Sequence, residues 1–89
     1  MTQIKYSVLI PTRERCDTLA WTLRTCVNQD YGNCEFIVSD NVSNDLTRDV
    51  VESFQDSRIK YVNPGRRVSM SANLEYALSH SQGEYITYI

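Results

Sequence analysis

The chain has 89 residues, which is the length of one small domain. Hydrophobic residues make up 42% and charged residues 22% of it, as in ordinary soluble globular proteins. Nine Lys and Arg stand against eleven Asp and Glu, for a net charge of −2. Since the basic residues form no stripe, this composition argues against binding to nucleic acid.

The cysteine content and the apolar runs restrict the class further. Three cysteines without a C-x-x-C pair argue against a disulfide framework or a zinc site. No apolar run approaches the roughly 20 residues that span a bilayer, and the N-terminus lacks the apolar stretch of a signal peptide. The sequence therefore predicts a cytoplasmic protein with no transmembrane segment in this chain.

Short apolar runs alternate with helical periodicity along the chain. Residues 6–10 form an apolar run closed by Pro11, which predicts a buried strand. Apolar residues then recur at helical spacing from Asp17, whose carboxylate is the expected N-cap of the first helix. After a break at residues 31–33, β-branched and aromatic residues at 35–39 predict a second strand.

The second half continues the same alternation. A polar loop leads into a second helix, for which Ser43 or Asn44 is the expected cap. Residues 58–62 predict a third strand. A third helix stops near Gly83, and residues 84–89 form a fourth apolar run.

This element order predicts a Rossmann-like, three-layer α/β/α domain with right-handed crossovers. We expect four parallel strands in the order 3-2-1-4 with helices on both faces, and all four apolar runs to have buried character. In such sheets ligands bind outside the carboxyl ends of the strands, where the strand order reverses. The loops at residues 11–16, 40–44 and 63–69 are therefore candidate binding loops.

The first of these loops concentrates polar side chains. Thr12 and Glu14 could hydrogen-bond to a ribose or a base, and Arg13 or Arg15 could meet a phosphate. The alternative is a solvated turn in which Glu14 pairs with an arginine, an interaction that contributes little stability. The sequence leaves both interpretations open.

The other two loops each offer a candidate. Asp40 ends the second predicted strand, too early to cap the next helix, in a place where carboxylates accept hydrogen bonds from a ribose or a base. Arg66 and Arg67 could make bidentate contacts to a diphosphate, or they could be solvated cations. The chain contains neither the G-x-G-x-x-G fingerprint nor a P-loop.

These motifs together resemble the family 2 glycosyltransferases with the GT-A fold. The segments that carry the resemblance, in the family's order, are residues 7–15, 29–31, 35–45, 71–73 and 83–89. They are similar to the opening strand and loop, the second strand with its D-[DN]-x-S-x-D loop, the third helix, and the strand that runs into the metal-binding Asp motif. Val42 stands where the family often has glycine, and Asn41 stands at the second acidic position.

The resemblance implies a nucleotide site made by four residues. Thr12 and Glu14 would contact the ribose and base, and Asp40 would accept from the base, most often a uracil N–H. Arg67 would reach the base or the diphosphate, with Arg66 as a second candidate. The implied substrate is a nucleoside-diphosphate sugar, UDP-linked, and the implied reaction is inverting transfer to a hydroxyl of an unknown acceptor (a sugar, a lipid-linked sugar or a protein).

The resemblance also implies a divalent metal, Mg²⁺ or Mn²⁺, in the full-length enzyme and a carboxylate base. Neither the metal-binding acids nor any catalytic residue is expected in this chain, so we expect it to bind no metal. We interpret residues 1–89 as the N-terminal nucleotide-sugar-binding part of a GT-A domain for polysaccharide biosynthesis, truncated before the Asp motif and inactive alone. In the order 3-2-1-4 the last strand lies at an edge of the sheet with its backbone groups open to another chain, which predicts a homodimer.

The alternative is a non-catalytic α/β interaction module such as a response-regulator receiver. Receivers need an acidic pair after the first strand and a phosphoacceptor Asp after the third. Those places hold Pro11-Thr12 and Asn63-Pro64 in this chain. Nucleotidyltransferases share the architecture but need a Gly-rich loop after the first strand, which is absent.

Overall fold

The computed structural model describes residues 4–30, 32–44 and 46–89, so residue 31 of the predicted break and residue 45, the last of the segment 35–45, lie outside it. The elements within these ranges are β1 (Tyr6–Thr12), α1 (Cys16–Val27), β2 (Cys34–Asp40), α2 (Thr47–Ser53), β3 (Ile59–Val62), α3 (Met70–Ser79) and β4 (Tyr85–Tyr88). All strands are parallel, in the order β3-β2-β1-β4. The predicted α/β class and strand order are confirmed. No helix in the described ranges is both long and apolar enough to cross a membrane.

Helices cover both faces of the sheet because successive side chains of a strand point to opposite sides. Phe36 and Val38 of β2 pack in a core with residues of α1 and α2. Ile37, which lies between them, packs against Ala77 of α3. Every residue of β2 is buried, as expected for the central strand of a parallel sheet covered on both faces.

The expectation of burial is wrong for β4, whose four residues are all exposed. The strand lies at the edge of the sheet, where it pairs with β1 alone, and α3 packs over β1 and β2 instead. β1, by contrast, runs further than expected, through Pro11 to Thr12. Pro11 lies beyond the last paired residue of β4, so the N–H that it lacks is not needed there.

Both helix caps predicted from the sequence are wrong. Arg15 occupies the N-cap of α1 and makes no side-chain cap bond, and Asp17 lies inside the first turn, where its charge still suits the helix dipole. Leu46 occupies the N-cap of α2. Neither Ser43 nor Asn44 occupies that position, and both hydrogen-bond to the loop that follows β1, Ser43 through its hydroxyl and Asn44 through its backbone N–H.

A buried carboxylate at the amino edge of the sheet connects β2 to β1, to β3 and to the segment before β4. Glu35 is 1% exposed and accepts hydrogen bonds from Ser7 Oγ, Lys60 Nζ and the Gln82 backbone N–H, each at 2.6 Å. Burial by itself raises the pKa of the Glu35 carboxyl, but these three donors outweigh it and hold the pKa below its ordinary value. Gly83 follows, and a Cβ there would lie 2.7 Å from the Ser7 backbone nitrogen, so only glycine fits this approach of the chain to β1.

Candidate functional site

The first two candidate loops meet at the carboxyl edge of the sheet. Thr12 and Asp40 end β1 and β2 and are direct partners in the register of the two strands. The Asn41 N–H donates to the Thr12 carbonyl at 2.9 Å, which extends the pairing one residue past the strands. Two of the predicted site residues therefore lie side by side.

Glu14 connects all three candidate loops. Its carboxylate accepts from the Asn44 N–H at 2.7 Å and from Arg67 Nη2 at 2.9 Å, and its own N–H donates to Ser43 Oγ at 2.7 Å. The pairing of Glu14 with an arginine, one of the two interpretations of this loop, is confirmed, and the partner is Arg67, 53 residues away along the chain. Both side chains are 39% exposed, so the pair contributes only about 0.2–1 kcal/mol and is accessible to a ligand.

Asp40 is buried and hydrogen-bonded to a residue of β3. It is 2% exposed, and its carboxylate accepts hydrogen bonds from Tyr61 Oη at 2.6 Å and from the Ser43 N–H at 3.1 Å. Burial raises the pKa of Tyr61, and the hydrogen bond to Asp40 raises it further, which keeps the hydroxyl protonated as a donor. Recognition of a base by Asp40 stays a prediction, and it requires a ligand to reach a carboxylate whose two oxygens already accept hydrogen bonds.

Two asparagines fix the loops in place, and the sequence reasoning gave neither a role. The side-chain amide of Asn41 donates to the Val68 carbonyl at 2.7 Å and accepts from the Val68 N–H at 2.9 Å. Asn73, 3% exposed, accepts from Ser39 Oγ at 2.6 Å and donates to the Ser39 carbonyl at 3.0 Å. The available signal was the position of Asn73, one helical turn before Ala77 on the buried face of α3.

A cleft of 690 Å³ opens at the same edge, between the ends of β1 and β4. The strand order reverses there, because the chain leaves β1 toward α1 on one face and reaches β4 from α3 on the other. Among its lining residues are Thr12, Arg13, Arg15, Asn41, Ser69 and Tyr88. Of the four predicted site residues only Thr12 lines this cleft, and Glu14, Asp40 and Arg67 lie beside it.

The described residues do not fit a divalent cation. Within residues 4–30, 32–44 and 46–89, no group of three His, Cys, Asp or Glu side chains could hold a metal ion. The carboxylates of Glu14 and Asp40 in the loops beside the cleft are engaged by Arg67 and Tyr61 respectively. No chemical step of this chain can therefore be assigned to a metal.

Backbone strain marks the loop after β2. Val42 has a φ of +52°, in the left-handed region where a β-branched residue is unfavourable by about 1–2 kcal/mol. Its N–H donates to the Asp40 carbonyl at 2.8 Å, and its carbonyl accepts from Arg67 Nε at 3.4 Å. This is the position at which the family often has glycine, and the structure gives the physical reason.

The parallel sheet, its helices and the polar loops at the point of strand reversal define an open α/β domain of the kind that binds ligands at its carboxyl edge. The sequence profile of Glycosyl transferase family 2 matches residues 7–89 of this chain. The chain belongs to this family, and the resemblance seen in the sequence is confirmed.

Known proteins agree with this assignment. A GalNAc(5)-diNAcBac-PP-undecaprenol β-1,3-glucosyltransferase of Campylobacter jejuni is 36% identical over 96% of this chain and 28% of its own length. The Escherichia coli enzyme WfgD, a UDP-Glc:α-D-GlcNAc-diphosphoundecaprenol β-1,3-glucosyltransferase, is 29% identical over 93% of this chain and 33% of its own.

A solved structure shares the fold. The Pyrobaculum calidifontis mannosyltransferase PcManGT, in complex with GDP-Man and Mn²⁺, superposes with a TM-score of 0.83 at 27% identity, over 94% of this chain and 26% of its own. This likeness confirms the predicted GT-A type of fold. The chain spans 26–33% of the length of these three proteins.

The strain at Val42 predicts an inverted order of stability between two substitutions. Val42→Gly and Val42→Ala both remove the half-buried side chain, but only glycine tolerates the positive φ without cost. We expect Val42→Gly to be more stable than Val42→Ala by about 1 kcal/mol in urea unfolding, the reverse of the order found at ordinary positions. An alanine variant that equals or exceeds the glycine variant would show that the loop relaxes to a negative φ.

Proposed function

We propose that this chain supplies the nucleoside-binding part of the donor site in a family 2 glycosyltransferase and binds a UDP-linked sugar. The observation that carries the proposal is the Glu14–Arg67 ion pair, which joins the loops after β1 and β2 to the loop before α3. The polar surface that results lies beside the cleft where ligands bind in folds of this type.

The hydrogen-bonding capacity left on these side chains fits a nucleoside. Each Glu14 oxygen accepts one bond and retains a lone pair, which suits the hydroxyls of a ribose. Toward the residues that the structure describes, Arg67 uses two of its five N–H donors, and the others could donate to a base carbonyl or a diphosphate. The Thr12 hydroxyl would contact the ribose, and Asp40 would accept from a base N–H after a small shift of its carboxylate.

Uracil is the base that we propose. The name of the E. coli relative WfgD specifies UDP-glucose as its donor. The Pyrobaculum enzyme was crystallised with GDP-Man, so related proteins differ in the base that they take. A uracil N–H facing the Asp40 carboxylate is the pairing that the family resemblance implies for this chain.

For the whole protein we propose inverting sugar transfer. The acceptor oxygen attacks the anomeric carbon, a carboxylate base takes the proton, and the bond from that carbon to the diphosphate breaks. A divalent cation, where bound, would neutralise the leaving diphosphate. We assign none of these catalytic groups to the described residues, whose proposed part is to bind and orient the donor.

The acceptor and the biological setting are proposed more broadly. The names of the C. jejuni and E. coli relatives give acceptors linked to undecaprenol diphosphate. These names support a lipid-linked sugar as the acceptor here, with a free sugar or a protein as alternatives. They also support a role in polysaccharide or glycan assembly, for which we propose the cytoplasm as the location.

The exposed edge of the sheet supports self-association of the 89-residue chain. Tyr85, Ile86 and Tyr88 of β4 are 58%, 42% and 64% exposed, with Glu84 the one charged residue between Gly83 and Ile89. Exposed apolar edge strands pair with other chains, so we propose a two-fold dimer joined through β4. Sedimentation at micromolar concentrations should give a dimer, and the variant Ile86→Lys a monomer. A wild-type monomer would contradict this proposal.

The nucleoside site predicts weak binding of UDP that does not depend on a metal. We expect calorimetry to give a Kd in the millimolar range, which corresponds to a binding free energy of about −4 kcal/mol. The reason is that the described residues offer contacts to a nucleoside but no metal ligands. Adding Mn²⁺ should leave the Kd unchanged. A micromolar affinity that requires the metal, or sugar transfer by this chain alone, would show that the site is more complete than proposed.

A matched pair of glutamate variants tests whether the site has been placed correctly. Glu14→Gln removes the charge that joins the loops, and we expect it to weaken UDP binding about tenfold. Glu52→Gln is the control, because Glu52 is also exposed and paired with an arginine, on the helix α2. Equal UDP affinity in the two variants would place the nucleoside elsewhere.

A further inference from the structure

The segment between α3 and β4 is hydrogen-bonded to buried side chains at the amino edge of the sheet. The Gln82 N–H donates to Glu35 Oε2 at 2.6 Å, and the next N–H, that of Gly83, donates to Ser7 Oγ at 2.8 Å. Glu35 is 1% exposed and Ser7 is 0% exposed. Two successive backbone donors therefore have acceptors that water does not reach, immediately before β4 begins.

The Glu35 carboxylate uses its two oxygens for different strands. Oε2 accepts from Ser7 Oγ and from the Gln82 N–H, and Oε1 accepts from Lys60 Nζ of β3. The Ser7 hydroxyl donates to this carboxylate and at the same time accepts from the Gly83 N–H. Hydrogen bonds to an ionised acceptor are stronger than neutral ones, and burial strengthens them further. The cluster therefore favours one arrangement of the segment that leads into β4.

The strand β4 itself receives little support from side-chain packing. Its four residues are all exposed, and α3 packs over β1 and β2 instead. Its backbone pairs with β1 over four residues, and the Tyr85 ring stacks on Tyr6 at 5.5 Å, where both rings are open to solvent. Elements with few buried apolar contacts open at low free energy, so the attachment of β4 depends strongly on the segment before it.

We propose that Glu35 is a positioning residue that, through Ser7 and the Gln82 N–H, holds β4 on the sheet and thereby sets where Tyr88 stands in the wall of the cleft. Tyr88 is the last residue of β4 and lines the cleft. Glu35 and the groups bonded to it lie at the opposite edge and are not among the lining residues that the structure describes. This role goes beyond the proposed function and is independent of the ligand that the cleft takes.

Native-state hydrogen exchange, followed by NMR without any ligand, measures whether β4 opens separately from the other strands. The reporters are the N–H groups of Tyr85 and Ile89, which donate to carbonyls on or beside β1. The reference is the Phe36 N–H of β2, which donates to a carbonyl beside β3 at 2.8 Å. In Ser7→Ala the Gly83 N–H loses its acceptor and Glu35 loses one donor. We expect the two reporter amides to exchange about tenfold faster relative to the Phe36 amide.

Ser39→Ala is the matched control for this substitution. Ser39 is also 0% exposed, and its hydroxyl also donates to a side-chain oxygen at 2.6 Å, but the acceptor is Asn73 of α3. We expect Ser39→Ala to lower the free energy of unfolding in urea about as much as Ser7→Ala does. The exchange of the Tyr85 and Ile89 amides relative to the Phe36 amide should stay at its wild-type value.

A second set of variants tests Glu35 directly. In Glu35→Gln one oxygen can still accept from Ser7 and Gln82, but the amide NH₂ then faces the Lys60 ammonium, donor against donor. We expect relative exchange in β4 to rise as it does in Ser7→Ala. In Glu35→Gln/Lys60→Met the opposing donor is absent, so we expect protection of β4 to return toward the wild-type value. This double variant leaves no unpaired buried charge and decides the test if Glu35→Gln does not fold.

The outcomes separate a role in β4 from general support of the fold. Faster relative exchange in Ser7→Ala but not in Ser39→Ala, with recovery in the double variant, supports the positioning role. Equal relative exchange in the two serine variants would show that the cluster stabilises the whole domain and would overturn the proposal. A double variant in which β4 stays unprotected would contradict the part assigned to Glu35.

Discussion

Hydrogen bonds made by the buried residues at the carboxyl end of β2 determine where the loops after β2 and before α3 lie in the candidate site. Ser39 bonds to Asn73 of α3, Asp40 to Tyr61 of β3, and the next residue, Asn41, to the backbone before α3. Because these polar groups are removed from water, leaving one without its partner would cost about 1–3 kcal/mol. The loops are therefore held against the sheet by hydrogen bonds whose loss would destabilise the folded chain.

A second, exposed set of polar groups has the opposite character. The Glu14–Arg67 pair is open to solvent and contributes little to stability, and Arg13 and Arg15 line a cleft without partners among the described residues. Groups of this kind can exchange water for a ligand at low cost. The buried bonds thus fix the backbone, and the exposed charges are available for binding, which is the division of roles that a preorganised site needs.

The strands and helices could be predicted because they depend on local patterns: the apolar run of β2 and the helical spacing in α3 are visible within a few residues. Their alternation along the chain then implied a parallel sheet with right-handed crossovers. The partner of Glu14 could not be predicted, because Arg67 is 53 residues away. The hydrogen bond from Tyr61 to the buried Asp40 could not be predicted either, because the two residues are 21 apart in the sequence and a tyrosine in a strand gives no sign of what its hydroxyl contacts. The predicted cap of α2 failed because the Ser43 hydroxyl accepts a hydrogen bond from the Glu14 N–H in another loop, and helix propensity carries no information about such a bond.

The central claim is that a uridine nucleotide binds the loops at the carboxyl edge of the sheet, and amide NMR mapping during a UDP titration tests it most directly. The account predicts shifts in residues 12–15, 40–44 and 66–69, which surround the Glu14–Arg67 pair. The amides of Gln82 and Gly83 are the internal control, because they bond to Glu35 and Ser7 at the opposite edge of the sheet and should not move. Shifts centred on that amino edge, or no shifts in the three loops at millimolar UDP, would contradict the account.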